Sequence, residues 1–208
     1  MNKTALFGTV LLLILIYGCA SSQITFNQGV EKISEFDKKS GVGMKTLPDS
    51  AEGINKLHSQ LVGFGAANTN MPKSLKQLLD FRIKTLEAEK IHNLGWQWGR
   101  GSTTDDGFGC KKGYAIIRAS AKLRNISAQG GYEAVNALQL FVDEFPNEAL
   151  SLNLTQKDVV FLNAAYYSIE KKAEKDDRII KSLCKDSIAE FNLTDLDMSQ
   201  FKLEMDKN

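Results

Sequence analysis

An all-α fold is predicted for this chain of 208 residues, a helical bundle or an irregular array of helical hairpins with about five to seven helices. Three observations carry that expectation. Apolar residues recur mostly at steps of three and four, the period of a helix that buries one face. No stretch alternates apolar and polar residues in the manner of a half-buried strand. Only three prolines occur in the whole chain, so little breaks the helical pattern.

In chain order, Val30 to Phe36 and Ile54 to Val62 read as two short helices. From Pro72 to Trp98 the residues Leu75, Leu78, Leu79, Ile83, Leu86, Ile91, Leu94 and Trp98 keep the helical period. Pro72 suits the first turn of that helix, and Gly95, Gly99 and Gly101 suit its end. A further helix spans Lys112 to about Gln129, with Ile116, Ala119, Leu123 and Ile126 on one face and Gly130-Gly131 as its stop. The next carries Val135, Leu138, Val142 and Phe145 and ends at Pro146. Thr155 and Asp158 form a capping box ahead of the apolar run Val159 to Leu162. The highly charged stretch Lys171 to Arg178 then reads as the solvated middle of one long helix, since apolar spacing resumes at Ile180, Leu183, Ile188 and Phe191.

Between two of these helices lies Trp96 to Tyr114, WQWGRGSTTDDGFGCKKGY, with five glycines and both tryptophans. It is expected to be a long Gly/Trp-rich loop. Long glycine-rich loops in compact domains are often functional. Trp96 and Trp98 offer apolar faces to a sugar or another ligand, and Arg100, Asp105 and Asp106 offer polar contacts. These five residues are the candidate ligand-binding set. A structural loop, with Trp98 plugging the bundle end, is the competing expectation.

The amino terminus has a different character. Lys3 precedes an apolar run from Ala5 to Ile16, too short for a membrane span of about 20 residues but of signal-peptide length. Ile16-Tyr17-Gly18-Cys19 resembles the lipobox of bacterial and archaeal-type lipoproteins, although Tyr17 stands where a small or β-branched residue is usual. The resemblance implies removal of residues 1–18, acylation of Cys19, a tether over residues 19–27 and a single extracytoplasmic domain over residues 28–208. The protein would then be anchored in a cell membrane or outer membrane, facing the periplasm or the cell exterior. Two acyl chains suffice for stable anchoring.

Loss of residues 1–18 removes Lys3 alone among the charged groups, which leaves basic and acidic side chains in balance. Such a balance argues against nucleic acid as a partner. Outside the cytoplasm, the pair Cys110 and Cys184 is expected to form a disulfide, worth about 4 kcal/mol for a loop of about 74 residues. Two buried thiols are the alternative. Asn125, Asn153 and Asn192 each open an Asn-x-Ser/Thr triplet and are candidate glycosylation sites.

No cofactor and no metal are expected. Arg100 to Thr104 lacks the Gly-Lys-Ser/Thr of a phosphate-binding loop, and Asp105-Asp106-Gly107 lacks the alternating oxygens of a calcium hand. Glu89 and His92 have the spacing of half a di-iron site, but His58, the other histidine, supplies no second half. Tyr132-Glu133-Ala134, Leu138, Phe141 and Pro146 resemble the second helix of a tetratricopeptide repeat, a likeness that covers half of one repeat. Shifting by 34 residues finds Ser168 and Ile180 where alanine and proline are wanted. The likeness implies an interaction role of the kind that helical-repeat lipoproteins have as envelope scaffolds. A non-enzymatic binding or scaffold module, engaging an envelope protein or glycan through residues 96–114, is therefore the leading expectation. The alternative is an envelope enzyme that acts on cell-surface glycans or wall polymers through carboxylates near that loop.

Overall fold

The computed structural model describes residues 24–101 and 110–183, with side chains omitted for residues 98–101, 110–116, 180 and 183. Six helices and no strand lie among the described residues, so the expected all-α architecture is observed. They are α1 Phe26–Lys39, α2 Ala51–Ala67, α3 Lys73–Gly101, α4 Cys110–Glu144, α5 Pro146–Ser151 and α6 Gln156–Leu183.

Local chemistry sets the starts. Thr25 and Gln28 cap α1 reciprocally: the Gln28 N–H reaches Thr25 Oγ1 at 3.3 Å and the Thr25 N–H reaches Gln28 Oε1 at 3.0 Å. The Ser50 hydroxyl accepts the Gly53 N–H at 3.0 Å and opens α2. Thr155 N–H and Oγ1–H both donate to Asp158 Oδ2, at 2.8 and 3.0 Å, and hold the start of α6.

Helix α4 is the centre of the fold, flanked by α3 on one side and α6 on the other. Along α3, Leu75, Leu78 and Leu86 are fully buried, and α2 lays Ile54, Leu57 and Leu61 into the same core. The α3–α4 seam is built from small residues. Ser127 Oγ donates to the Ala88 carbonyl and Ser120 Oγ to the Gly95 carbonyl, each at 2.7 Å and buried. Ala88 and Gly95 are one heptad apart, as are Ser120 and Ser127, so the antiparallel pair repeats the same contact two turns on.

Four sequence expectations change. Of the three glycines expected at the end of the helix that follows Pro72, Gly101 is its last residue, whereas Gly95 lies inside it. At Gly95 the missing β-carbon is what admits α4, because a Cβ there would sit 3.3 Å from the Ser120 carbonyl oxygen. Gly130-Gly131 do not stop a helix either; α4 runs through them as one helix of 35 residues. A β-carbon on Gly131 would lie 2.1 Å from Tyr166 Cδ1, so the glycine is a notch for a ring of α6. The expected loop over residues 96–114 is helical at both flanks, through Gly101 and again from Cys110. Finally, the charged middle of α6 is not wholly solvated. Asp176 pairs with Arg124 at 2.7 Å and Asp177 with Arg118 at 2.8 Å, which ties α6 to α4.

No described helix is long and apolar enough to cross a membrane. Cys19, Asp105, Asp106, Cys184 and Asn192 lie outside the described residues.

Candidate functional site

The segment between α1 and α2 makes a strap across the bundle. After α1, Gly41 takes a φ of +72°, the left-handed turn that glycine allows, and reverses the chain. Gly43 N–H donates to Thr46 Oγ1 at 2.8 Å and tightens the next turn. Arg82 of α3 then pins the strap from below. Its Nη1 donates to the Met44 carbonyl at 2.8 Å and the Thr46 carbonyl at 3.3 Å, and its Nη2 to Asp37 Oδ1 at 2.6 Å. Both members of this ion pair are buried, at 1% and 2% exposure. Among the described residues, Arg82 Nε and Asp37 Oδ2 have no hydrogen-bond partner.

Beneath the strap is a cavity of about 270 Å³. Met44 and Leu47 roof it, Phe81 and Leu138 back it, and Leu162 and Tyr166 close it from α6. Lys45 Nζ meets Asp158 Oδ1 at 2.8 Å at its edge. Phe161 also lines the cavity although 73% exposed, so this ring marks the rim. The lining is mainly apolar, with Arg82, Thr85, Glu89 and Tyr166 as inner polar groups. Burial raises the pKa of Glu89. Burial, and then the nearby Glu89 carboxyl, push the Tyr166 phenol up to about 12. Both environments favour the neutral, proton-bearing form, which can donate a hydrogen bond. Such a space accepts an apolar molecule with one hydrogen-bonding group.

Glu89 also borders a second feature, an open polar groove of about 430 Å³ lined by Asp49, His92, Asn93, Trp96 and Gln97. Here the sequence-predicted Trp96 is 41% exposed. Its indole N–H donates to His92 Nε2 at 2.8 Å. The Lys172 ammonium stands 4.8 Å and the Arg124 guanidinium 5.9 Å from its ring centroid. Trp96 is thus already engaged by cations and a histidine rather than offered as an unoccupied platform. Burial, with Arg124 and Lys172, lowers the pKa of His92. Since Nε2 accepts a hydrogen bond, the neutral ring carries its proton on Nδ1, which is buried and unpartnered among the described residues.

Trp98 and Arg100 belong to the last turn of α3, where only the backbone is described. Cys110 is the first residue of α4, its side chain undescribed. Asn125 is exposed on α4, but Ser127 of its triplet is buried against the Ala88 carbonyl. Asn153 is exposed at a φ of +56° in the turn before α6. Glu89 and His92 share one side of α3, and no group of three metal-ligating side chains stands together among the described residues.

Sequence reasoning missed the cavity and the Arg82–Asp37 pair. One signal was present: Arg82 is a cation set inside the apolar run Leu78, Leu79, Phe81, Ile83. No family model, no curated protein and no solved structure matches this chain.

Proposed function

We propose that this chain is a lipid-anchored, non-enzymatic binding module of the envelope, tethered through Cys19 and holding a small apolar ligand under the strap. One observation carries the ligand assignment: an apolar cavity of about 270 Å³, with Glu89 and Tyr166 inside and Phe161 at its rim. The volume is near the lower end of ligand sites, which start at about 300 Å³. A single ring or a short chain with one donor or acceptor fits that description.

N-phenyl-1-naphthylamine, a neutral apolar fluorophore with one N–H, is a suitable probe. The wild-type chain is expected to raise its emission saturably. Ala165 of α6 also lines the cavity, and Ala165→Phe, which fills it, should abolish that rise while the far-ultraviolet circular dichroism keeps its helical form. Saturable binding that survives in Ala165→Phe would remove the cavity as the site.

A second reading keeps the ligand at residues 96–114 and is favoured by the polar groove beside Trp96. It calls for a hydrophilic ligand such as an envelope glycan. Under it, Trp96→Ala weakens glycan retention and Ala165→Phe does not.

A further inference from the structure

We infer that the end of the bundle bearing the amino terminus rests on a lipid bilayer, with Leu150, Val160 and Phe161 as the side chains that enter it. This inference rests on the Cys19 anchor proposed above, and it names the surface on which that anchor seats the protein.

Four elements meet at this end. The Phe26 ring at the start of α1 is 6.2 Å from Phe141 near the end of α4. Lys73, first residue of α3, pairs with Glu144, the last of α4. Gln156, first residue of α6, donates to Asp143 Oδ1 at 2.7 Å, and α5 lies between them in the chain. Trp96 and the Arg118–Asp177 pair belong to the opposite end.

The exposure of large apolar side chains is uneven. Leu150, Val160 and Phe161 are 65%, 68% and 73% exposed and are the three most exposed among the described residues. All three belong to α5 and the first turns of α6, at the amino-terminal end. Exposed apolar side chains gathered in one region mark an interaction surface.

Chain length identifies the occupant. Cys19 is five residues from Ile24, and five extended residues reach at most about 18 Å. Helix α3 alone is about 43 Å long at 1.5 Å per residue. An acylated Cys19 therefore holds this end, and not the Trp96 end, within reach of the headgroups. The charges here are mixed, with Lys45, Lys73 and Lys157 among Asp143, Glu144, Glu148 and Asp158. Apolar insertion, rather than attraction to anionic lipid, is the driving term. The cavity rim at Phe161 consequently opens beside the acyl chains.

The test uses residues 19–208 with Cys19→Ser, so that binding reports the surface without the anchor. Flotation with phosphatidylcholine vesicles should retain this chain, and raising the salt should leave retention unchanged. Leu150→Ser, Val160→Ser and Phe161→Ser together should lower the partition coefficient at least about tenfold, given the weight of each buried apolar side chain. Tryptophan emission added by Phe161→Trp should be quenched by dibrominated phosphatidylcholine. No vesicle retention, or emission at position 161 that bromolipid leaves untouched, overturns the inference. So does a concentration-dependent dimer that buries position 161 in place of lipid. Loss of naphthylamine binding with this quenching intact would sink the cavity ligand alone.

Discussion

Gly130 and Gly131 are neighbours in α4, and replacing each with alanine is expected to change stability in opposite directions. In a helix interior, Gly to Ala gains about 1 kcal/mol from backbone entropy alone. At Gly130 the new methyl would meet only Ala88, its Cβ at 3.8 Å and its Cα at 4.0 Å, ordinary contacts. Gly130→Ala should therefore stabilise by about 1 kcal/mol, or raise Tm by about 2–4 °C for a domain of this size. At Gly131 the same methyl would lie 2.1, 2.3 and 2.3 Å from Tyr166 Cδ1, Cε1 and Cγ. Those atoms belong to a ring that is 5% exposed, and Cγ moves away only if the χ1 torsion of a packed side chain or α6 itself shifts. Overpacking costs about 1–3 kcal/mol, and three contacts this short place the cost at the upper end. Set against the entropy gain, Gly131→Ala should lose about 2 kcal/mol and lower Tm by about 4–8 °C. Gly63, with nothing within 4 Å of its added Cβ, reports propensity alone. Thermal unfolding followed by circular dichroism, with Tyr166→Leu combined with Gly131→Ala to relieve the overlap, measures all of this. If Gly131→Ala stabilises as much as Gly130→Ala, the notch does not exist.

Arg82→Met should destabilise by about 3–5 kcal/mol in urea unfolding, because Asp37 is left charged and buried without its partner. Adding Asp37→Leu should recover much of that loss; a double variant no better than the single one would mean that the strap carbonyls, not the charge, set the cost. Glu89 binds its proton more tightly folded than unfolded, so its contribution is fully present below the unfolded value of 4.5 and is lost as pH rises through the higher folded value. Glu89→Gln should therefore match the wild type at low pH and exceed it in stability above that window. A difference between the two chains that stays constant with pH would refute a desolvated carboxyl.

Helices were legible wherever an apolar face repeated for several turns. Leu75, Leu78, Leu79 and Leu86 point into the core as their spacing requires. Glycine was read by its backbone preference as a helix stop, whereas Gly95 and Gly131 are used for what they lack. That use depends on Ser120 and Tyr166, each about 25 to 35 residues further along the chain, and no local window contains it. The acidic pair Asp176-Asp177 failed for the same reason, since its partners Arg118 and Arg124 are on another helix. Trp96 was picked out by residue type and does line a groove, but its ring is held by His92, Lys172 and Arg124. The cavity joins the strap, the middle of α3, Leu138 of α4 and the first half of α6, segments that are neighbours only after folding.

The hydroxyl-to-carbonyl bonds of the α3–α4 seam have a mechanical consequence. Sliding one helix past the other by a single turn would remove both Ser127 and Ser120 from their carbonyls and leave buried polar groups unsatisfied. The hairpin is therefore locked against the one-turn ratchet by which some helix pairs switch. It behaves as a strut: a push at the end with Leu150 reaches Trp96, about 35 Å along α3, as displacement of the whole rod.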